Sequence, residues 1–322
     1  MRALQIQSAG KVTFLDDVPI PERKPGEFLV KSTFAALCGS NMGQFTGEGF
    51  YADMYPNPIG WAGHENLGTI VESDDPEWKV GEFVLAQPNG YFGFAEYIVC
   101  RPPAIAHLPQ DDKDPISLMV AQPLSTVLRA MSRVNARDIV GKKCAVIGQG
   151  PMGLIFTHYL KLMGAQTVIA SDTRAWRLKW AKHFGADLTV DASKEDMVEK
   201  VKDYNKGILL DFIVDAAGTE KSLQTAAYLT KRFSKVLVFG MPHFNMQQFP
   251  WYHVFRNEVE MITSVGPECG DYFQVAADMV VDRRSSILRD MVFPRMKWTD
   301  AQKAFELYAS CAEDVLKLTL DV

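Results

Sequence analysis

The sequence predicts an α/β protein in which a strand-rich first region is followed by a doubly wound parallel sheet. Two patterns carry this prediction. Over the first hundred residues, short runs of branched and aromatic residues are separated by Gly, Pro and Asp, which is typical of strands joined by turns. From about residue 124, apolar strands alternate with helical segments. Strands that alternate with helices form parallel sheets with right-handed crossovers.

The first region predicts a compact β-barrel or sandwich. Its candidate strands are "RALQI", "VTFL", "FLVKSTFAAL", "NLGTIVE", "FVLA" and "FAEYIV". Prolines are frequent between these runs, and we therefore expect irregular loops around a compact set of short strands.

The second region predicts the parallel sheet. Its candidate strands are "CAVI", "TVIASD", "LTV", "DFIVDAAG", "KVLVFG" and "EMITSVG". The helices "LIFTHYLKLM" and "RLKWAKHF" are followed by Gly164 and Gly185, and glycine is the usual residue after a helix end. The tail predicts a helix at "YFQVAADMVV", a strand at "DMVFPRM", a helix at "TDAQKAFELYA" and a strand at "VLKLTL".

Composition excludes several classes of protein. The chain has 322 residues, enough for two domains, and its 47% apolar and 23% charged residues are ordinary for a globular protein. A net charge of −5 offers no basic field for nucleic acid. No apolar run reaches the ~20 residues that cross a bilayer, and the N-terminus lacks the apolar segment of a signal peptide. We therefore expect a cytoplasmic protein without nucleic-acid or membrane partners.

The cysteines predict neither disulfides nor a structural zinc lobe. They are Cys38, Cys100, Cys144, Cys269 and Cys311. Their number is odd, their spacing is wide and no C-x-x-C pair occurs, so we expect reduced thiols in a reducing compartment. The close spacing that a four-cysteine zinc site needs is also missing.

Gly148, Gly150 and Gly153 form a G-x-G-x-x-G motif between a predicted strand and a predicted helix. The first glycine allows a tight turn, the second lets a pyrophosphate approach the backbone, and the third lets the helix pack on the strand. Asp172 follows Gly153 by 19 residues at the end of the next strand. Its carboxylate can bind the ribose hydroxyls of NAD and would repel the 2′-phosphate of NADP.

Two features leave alternatives open at this motif. Arg174 and Arg177 follow Asp172, and either could meet a phosphate; we expect Arg177 to lie along the adenosine. A glycine-rich turn that binds nothing is the other interpretation, but strand, glycines, helix and acid in register favour a dinucleotide.

In these and several other motifs the chain resembles the medium-chain alcohol and polyol dehydrogenases, such as the sorbitol and threonine dehydrogenases. The matching segments are "CGSN" at 38–41, "GHENLG" at 63–68, "VGEFV" at 80–84, "AQPLSTVLRAM" at 121–131, "VDAAG", "VFGMP" and the final "AFELYASCAEDVLKLTL". Their order along nearly the whole length makes the resemblance specific.

The resemblance implies a GroES-like β-barrel catalytic domain over residues 1–123 and 268–322 and a Rossmann domain over 124–267, with the active site in the cleft between them. The cysteine-rich lobe that binds structural zinc in this family is missing, because "VLAQP" runs straight into "NGYFGFAEYIV". The implied NAD-binding residues are Gly148, Gly150, Pro151, Met152, Gly153, Asp172, Arg177, Gly240, Val265 and Gly266.

The resemblance also implies one catalytic zinc. Cys38, His64 and a carboxylate form a mixed ligand set typical of catalytic zinc, which lowers the pKa of a bound alcohol. Glu65 is the preferred third ligand and Gln122 the alternative. Ser40 stands where the family has the serine or threonine that accepts the proton of the alcohol. The competing interpretation is a buried small Cys38 and a hydrogen-bonded core His64.

Three positions depart from the family pattern, and all three belong to the same site. Gln122 stands where polyol dehydrogenases have a glutamate. Asn41 replaces the aspartate that orients the metal-binding histidine. Gly43 replaces a histidine that ends the usual proton relay. Each change removes anionic or basic character from the site.

Together these features predict an NAD-dependent oxidoreductase that interconverts a secondary alcohol and a ketone. The expected substrate is a polyol, a cyclitol or a sugar derivative, and by family analogy the chain forms a homodimer or homotetramer. One alternative is a zinc-free reductase of the same fold acting on an enone or a quinone. Another is a protein that binds NAD(H) without catalysis.

Overall fold

A computed structural model describes residues 1–48, 51, 53–242, 248–266 and 270–322. The chain divides into two compact units. Unit 1 comprises Met1–Ser125 together with Glu268–Val322, and unit 2 comprises Thr126–Pro267. Cys269 lies outside the described residues.

The elements are named in chain order. The strands are β1 (Ala3–Ser8), β2 (Lys11–Leu15), β3 (Phe28–Ala36), β4 (Asn66–Glu72), β5 (Phe83–Ala86), β6 (Tyr97–Cys100), β7 (Ile105–His107), β8 (Lys143–Ile147), β9 (Thr167–Asp172), β10 (Leu188–Asp191), β11 (Leu210–Asp215), β12 (Thr230–Val238), β13 (Glu260–Thr263), β14 (Arg295–Lys297) and β15 (Thr319–Asp321). The helices are α1 (Asn41–Thr46), α2 (Ala121–Met131), α3 (Pro151–Leu162), α4 (Ala175–His183), α5 (Met197–Tyr204), α6 (Glu220–Tyr228), α7 (Trp251–Arg256), α8 (Phe273–Val281) and α9 (Ala301–Ala309). In the part of the chain described, no helix combines the length and apolarity needed to cross a bilayer.

Unit 2 is built on a parallel sheet in the order β10-β9-β8-β11-β12-β13. Its first strand, β8, lies in the middle, so the chain winds outward first to one side and then to the other. Side chains such as Ile169, Ile213 and Val236 are fully buried between the sheet and its helices. The strand order reverses between β8 and β11, and this switch point is where open α/β sheets bind ligands.

Unit 1 is built on a mostly antiparallel sheet that the tail completes, with only β14 and β15 pairing in parallel among the described strands of that sheet. Its order is β14-β15-β3-β4-β5-β7, and β6 also pairs with β3. The last strand, β15, is antiparallel to β3, which places the C-terminal residues beside the first hundred. The core behind them packs Phe305 against Phe45 and Phe94, with ring centroids 5.3 and 5.5 Å apart. The two sheets together confirm the predicted fold class.

The tail differs from the prediction in one segment. A strand is predicted at 290–296, but Ser286–Met291 forms a 3-10 helix and pairing begins only at Arg295. Pro294 fits this, because proline has no N–H to donate to a strand ladder and in sheets is confined to edge strands, strand starts and bulges; here it directly precedes the edge strand β14. The following strand is also shorter than predicted, since the N–H groups of Leu316 and Lys317 donate to Phe293 and Met291 instead.

We expect Gly153→Ala to destabilise unit 2. A Cβ at residue 153 would lie 1.8 Å from the backbone oxygen of Gly148, so α3 must move away from β8. The free energy of unfolding should fall by about 2 kcal/mol or more, as for other overpacked sites, measured by denaturant titration.

Gly150→Ala is the matched control for that variant. Its nearest neighbour to an added Cβ is Arg177 Nη1 at 3.9 Å, an ordinary contact. Stability close to that of the wild type is expected for Gly150→Ala. Equal losses of stability in the two variants would contradict the packing role of Gly153.

Candidate active site and cofactor site

The end of β3 and the start of β4 bring the predicted metal ligands together. Cys38 follows β3, and His64 and Glu65 immediately precede β4. The two strands are antiparallel neighbours, and the N–H of Ala36 donates to the backbone oxygen of Glu65 at 3.0 Å. Two segments far apart in sequence therefore meet at one corner of the sheet.

The three side chains form a cluster that suits a metal ion. One ligand atom each from Cys38, His64 and Glu65 lies within 4.8 Å of the other two. Ligands around a tetrahedral zinc lie about 3.5 Å apart for bonds of 2.0–2.3 Å, so small side-chain movements complete the site. His64 Nδ1 is 2.9 Å from the backbone oxygen of Ala62, which leaves Nε2 to face Cys38 and Glu65. A sulfur, a nitrogen and an oxygen donor match catalytic zinc.

The charges within this cluster favour a thiolate beside an imidazolium. Burial and the charge of Glu65 raise the pKa of the Cys38 thiol, but a hydrogen bond with His64 and the charge of Lys317 outweigh them and leave it below its usual value. Burial lowers the pKa of His64, yet the hydrogen bond and charge of Cys38 prevail and raise it to about 9. A thiolate is the form of cysteine that binds metals.

Lys317 holds Glu65 in place. Its Nζ lies 2.8 Å from each carboxylate oxygen of Glu65 and 3.3 Å from the backbone oxygen of Leu37, and both side chains are 1% exposed. Burial lowers the pKa of Lys317, but the charges of Glu65 and Cys38 overcome that and keep it raised. Each carboxylate oxygen has a second lone pair, so Glu65 can still bind a metal.

Sequence reasoning missed Lys317. The available signal was its place inside the apolar run "VLKLTL", because lysine is almost never fully buried unless it is paired. A carboxylate partner could have been inferred from that position, although not which one.

Asn41 has a structural role in the site, besides lacking the charge of the aspartate that it replaces. Its side chain is 1% exposed; Nδ2 donates to the backbone oxygen of Ala62 at 2.9 Å and Oδ1 accepts from the N–H of Cys38 at 2.9 Å. Asn41 therefore fixes the same carbonyl that orients His64. The neutral amide acts on the histidine through the backbone instead of through a carboxylate.

Three further positions singled out from the sequence are Ser40, Gly43 and Gln122. Ser40 is exposed and precedes α1 as its N-cap residue. A Cβ at Gly43 would lie 2.7 Å from the ring of Tyr51, so that ring occupies the space where the family carries a histidine. Gln122 is buried in the first turn of α2, and its role as a ligand stays a prediction.

Unit 2 has its own cavity, of about 520 Å³, beside the switch point. Four predicted cofactor residues line it: Gly148, Gly150, Asp172 and Arg177. Among the residues described, its wall does not include Pro151, Met152, Gly153, Gly240, Val265 or Gly266. Pro151 and Met152 instead begin α3 after its N-cap residue Gly150, so the free N–H groups of this helix start next to the cavity wall.

Asp172 is held rigidly at the end of β9. Its carboxylate accepts from the N–H groups of Gln149 at 2.7 Å and Arg174 at 2.8 Å, and Arg177 Nη1 lies 3.7 Å away. The carboxylate is therefore tied to the glycine turn itself, and free lone pairs remain for hydroxyl groups.

Part of the cavity wall was not predicted. Glu195, Asp196, Lys221, Gln224 and Tyr228 line it from the segment after β10 and from one face of α6. The rule that ligands lie outside the carboxyl ends of strands points to the segments after β10 and β11, but not to these individual side chains.

Two family models match the chain. The alcohol dehydrogenase GroES-like domain matches residues 24–110, and the zinc-binding dehydrogenase model matches residues 151–282. The first match contains Cys38, His64 and Glu65, and the second begins directly after Gly150 and contains Gly153 and Asp172.

Relatives named as dehydrogenases cover most of the chain. The erythritol/L-threitol dehydrogenase of Mycolicibacterium smegmatis is 26% identical over 94% of this chain and 92% of its own length. The L-threonine 3-dehydrogenase of Symbiobacterium thermophilum is 27% identical over 75% of this chain and 76% of its own. The structure of L-idonate 5-dehydrogenase from Escherichia coli superposes with a TM-score of 0.85 at 20% identity, covering 100% of this chain and 98% of that one, which shows a shared fold.

We expect Lys317→Met to destabilise unit 1, because it leaves the charge of Glu65 buried without a partner. The free energy of unfolding should fall by about 3–5 kcal/mol in denaturant titrations. The double variant Glu65→Gln with Lys317→Met should recover most of this loss.

Lys297→Met is the control, since Lys297 is exposed at the end of β14. It should change the free energy of unfolding by less than about 0.5 kcal/mol. A Lys317→Met protein as stable as the wild type would show that the ion pair does not hold this corner together.

Proposed function

We infer the function of this chain from its family: it belongs to the zinc-type alcohol and polyol dehydrogenases of the medium-chain dehydrogenase/reductase family. It is thus an oxidoreductase. We propose that it uses NAD to interconvert a secondary alcohol of the polyol, cyclitol or sugar class and the matching ketone. The meeting of Cys38, His64 and Glu65 within 4.8 Å carries this proposal.

The residues present fit one catalytic zinc. Cys38, His64 and Glu65 would hold it, with Gln122 as the alternative to Glu65. A zinc held there would supply a Lewis acid for the substrate oxygen, and NAD bound to unit 2 would supply the hydride acceptor. The proposal includes no structural zinc, because the segment that would carry it is absent from the sequence.

Residues around Cys38, His64 and Glu65 orient these candidate metal ligands, and Ser40 transfers the proton of the alcohol. The carbonyl of Ala62 fixes the His64 ring, and Asn41 fixes that carbonyl. Lys317 neutralises Glu65, so the site carries less negative charge than its donors alone would give. Ser40 accepts the alcohol proton, and its exposure lets it pass the proton directly to water without a histidine at position 43.

The cofactor proposal rests on unit 2. The glycine turn lets the pyrophosphate approach the backbone, and the N-terminus of α3 offers it N–H groups and a partial positive charge. Asp172 binds the ribose hydroxyls and repels a 2′-phosphate. Arg177 beside it partly offsets that repulsion, so we propose a preference for NAD rather than absolute exclusion of NADP.

The two alternatives have less support. A zinc-free enone or quinone reductase does not require a half-buried cysteine and histidine and a buried carboxylate gathered at one corner of the sheet. A non-catalytic NAD(H)-binding protein would explain the loss of charge at Gln122 and Asn41, but the hydrogen bonds of Asn41 to both sides of the cluster give it a part in the site. Relatives that act on erythritol, threitol and sorbitol support the polyol class.

We expect Cys38→Ser to lose both the metal and turnover, because a serine oxygen replaces the thiolate donor. Zinc measured by elemental analysis should fall well below one ion per chain, and NAD⁺ reduction with a polyol panel should fall at least about 100-fold.

Cys311→Ser is the matched control for Cys38→Ser. Cys311 is a half-buried free cysteine outside the cluster, and its variant should keep zinc and activity. A metal-free Cys38→Ser protein with full activity would rule out the mechanism.

We expect Asp172→Asn to weaken the preference for NAD. The amide keeps the size of the side chain but removes the charge that repels a 2′-phosphate. The ratio of kcat/KM for NAD⁺ to that for NADP⁺ should fall about tenfold, which corresponds to about 1.4 kcal/mol. Asp203→Asn, an exposed acid in α5, should leave the ratio unchanged. An unchanged ratio in Asp172→Asn would contradict the role assigned to its charge.

A further inference from the structure

The short loop that follows β5 places an aromatic ring beside His64, one of the three candidate metal ligands. This loop, residues 89–93, runs through the place where the family's zinc lobe is missing. Tyr91 is half-buried, its ring centroid lies 6.1 Å from that of His64, and the two planes meet at 86°. No sequence motif predicts this contact, because it depends on the path of the loop.

Close backbone packing fixes the end of the loop against the segment that carries His64. The N–H of Gly93 donates to the backbone oxygen of Gly63 at 3.0 Å, and Asn66 Nδ2 donates to the backbone oxygen of Gly93 at 2.8 Å. A Cβ at Gly93 would lie 2.3 Å from Asn66 Oδ1. Only glycine fits there, so the loop and the histidine segment form one rigid piece.

The start of the loop is anchored as well. Asn89 Nδ2 donates to Glu27 Oε1 at 3.0 Å, and the N–H of Tyr91 donates to the backbone oxygen of Pro88 at 3.1 Å. The loop is therefore held on both sides of Tyr91, and the position of its ring relative to His64 is set by the backbone.

The backbone at Tyr91 is unusual for such a residue. Tyr91 has a φ of 65°, as does Gly90 before it. The left-handed region disfavours residues with a Cβ, and glycine or asparagine is the usual occupant. A bulky side chain in that conformation is found where the surrounding structure holds it, often at functional sites.

We propose that Tyr91 is a specificity-determining residue whose ring forms one wall of the substrate site beside His64. The inference rests on the proposed function, and it names the part of the substrate that is recognised: the carbon chain of a polyol beyond the carbon that is oxidised. An alcohol bound next to His64 extends its chain past the flat face or edge of this ring. A short alcohol such as 2-propanol has no carbons that reach it.

Three variants test this wall. Tyr91→Ala removes the ring, Tyr91→Phe keeps it, and Phe92→Ala removes the neighbouring exposed ring, which folds back over Gly90. Each is compared with the zinc-loaded wild type on 2-propanol and on the best substrate found among four- to six-carbon polyols. Zinc content is measured for every variant.

For Tyr91→Ala we expect KM for the polyol to rise about tenfold at nearly unchanged kcat. The reason is that the ring of Tyr91 contacts the carbon chain of the substrate equally in the ground state and in the transition state. Its kcat/KM for 2-propanol and its zinc content should stay within about twofold of the wild type. Tyr91→Phe and Phe92→Ala should resemble the wild type with both substrates. As a readout apart from turnover, the polyol should raise the melting temperature of the NADH-bound wild type more than that of Tyr91→Ala.

Two results would overturn the inference while the proposed function stands. In one, Tyr91→Ala handles the polyol as well as the wild type does. In the other, it loses zinc or loses activity on both substrates equally, which would make Tyr91 a support for His64. A wild type that binds zinc and NAD but oxidises no alcohol would instead contradict the proposed function, and the inference with it.

Discussion

The buried ion pair between Lys317 and Glu65 organises unit 1. Moving two such charges out of water costs several kcal/mol each, and their attraction offsets this only with good geometry and with every remaining hydrogen-bonding group satisfied. Here the ammonium has three acceptors, the two oxygens of Glu65 and the backbone oxygen of Leu37. The pair joins positions 252 residues apart, and the tail must return beside β3 to form it.

The same pair shapes the chemistry of the cluster beside it. Without a metal, Cys38 and His64 form one compensated pair and Glu65 and Lys317 another. A zinc ion requires a neutral His64, so its binding displaces the proton that His64 holds up to a pH of about 9. The loaded site then carries one net positive charge, which favours the oxygen of a substrate as it becomes anionic. The neutral Asn41 fits this balance, because a carboxylate there would cancel that charge.

The parts of the molecule that sequence could predict are those set by local spacing. The glycine motif, Asp172 and the alternation of strands and helices define unit 2, and the segments around Cys38 and His64 point to the candidate metal ligands. The residues that sequence reasoning missed contact partners that are distant in the sequence. Lys317 finds Glu65 only after the tail has folded back, and Tyr91 reaches His64 only through close packing of Gly63 and Gly93. In the sequence Asn41 shows only the loss of a charge, since its two backbone partners are visible only in three dimensions.

The most direct test of the central claim is X-ray absorption at the zinc edge on the purified, zinc-loaded protein. A metal held by Cys38, His64 and Glu65 has one sulfur neighbour at about 2.3 Å and its other neighbours, nitrogen or oxygen, at about 2.0–2.2 Å. We expect that spectrum, with the sulfur contribution absent from Cys38→Ser. A protein that retains no zinc, or a zinc with no sulfur or with two or more, would contradict it.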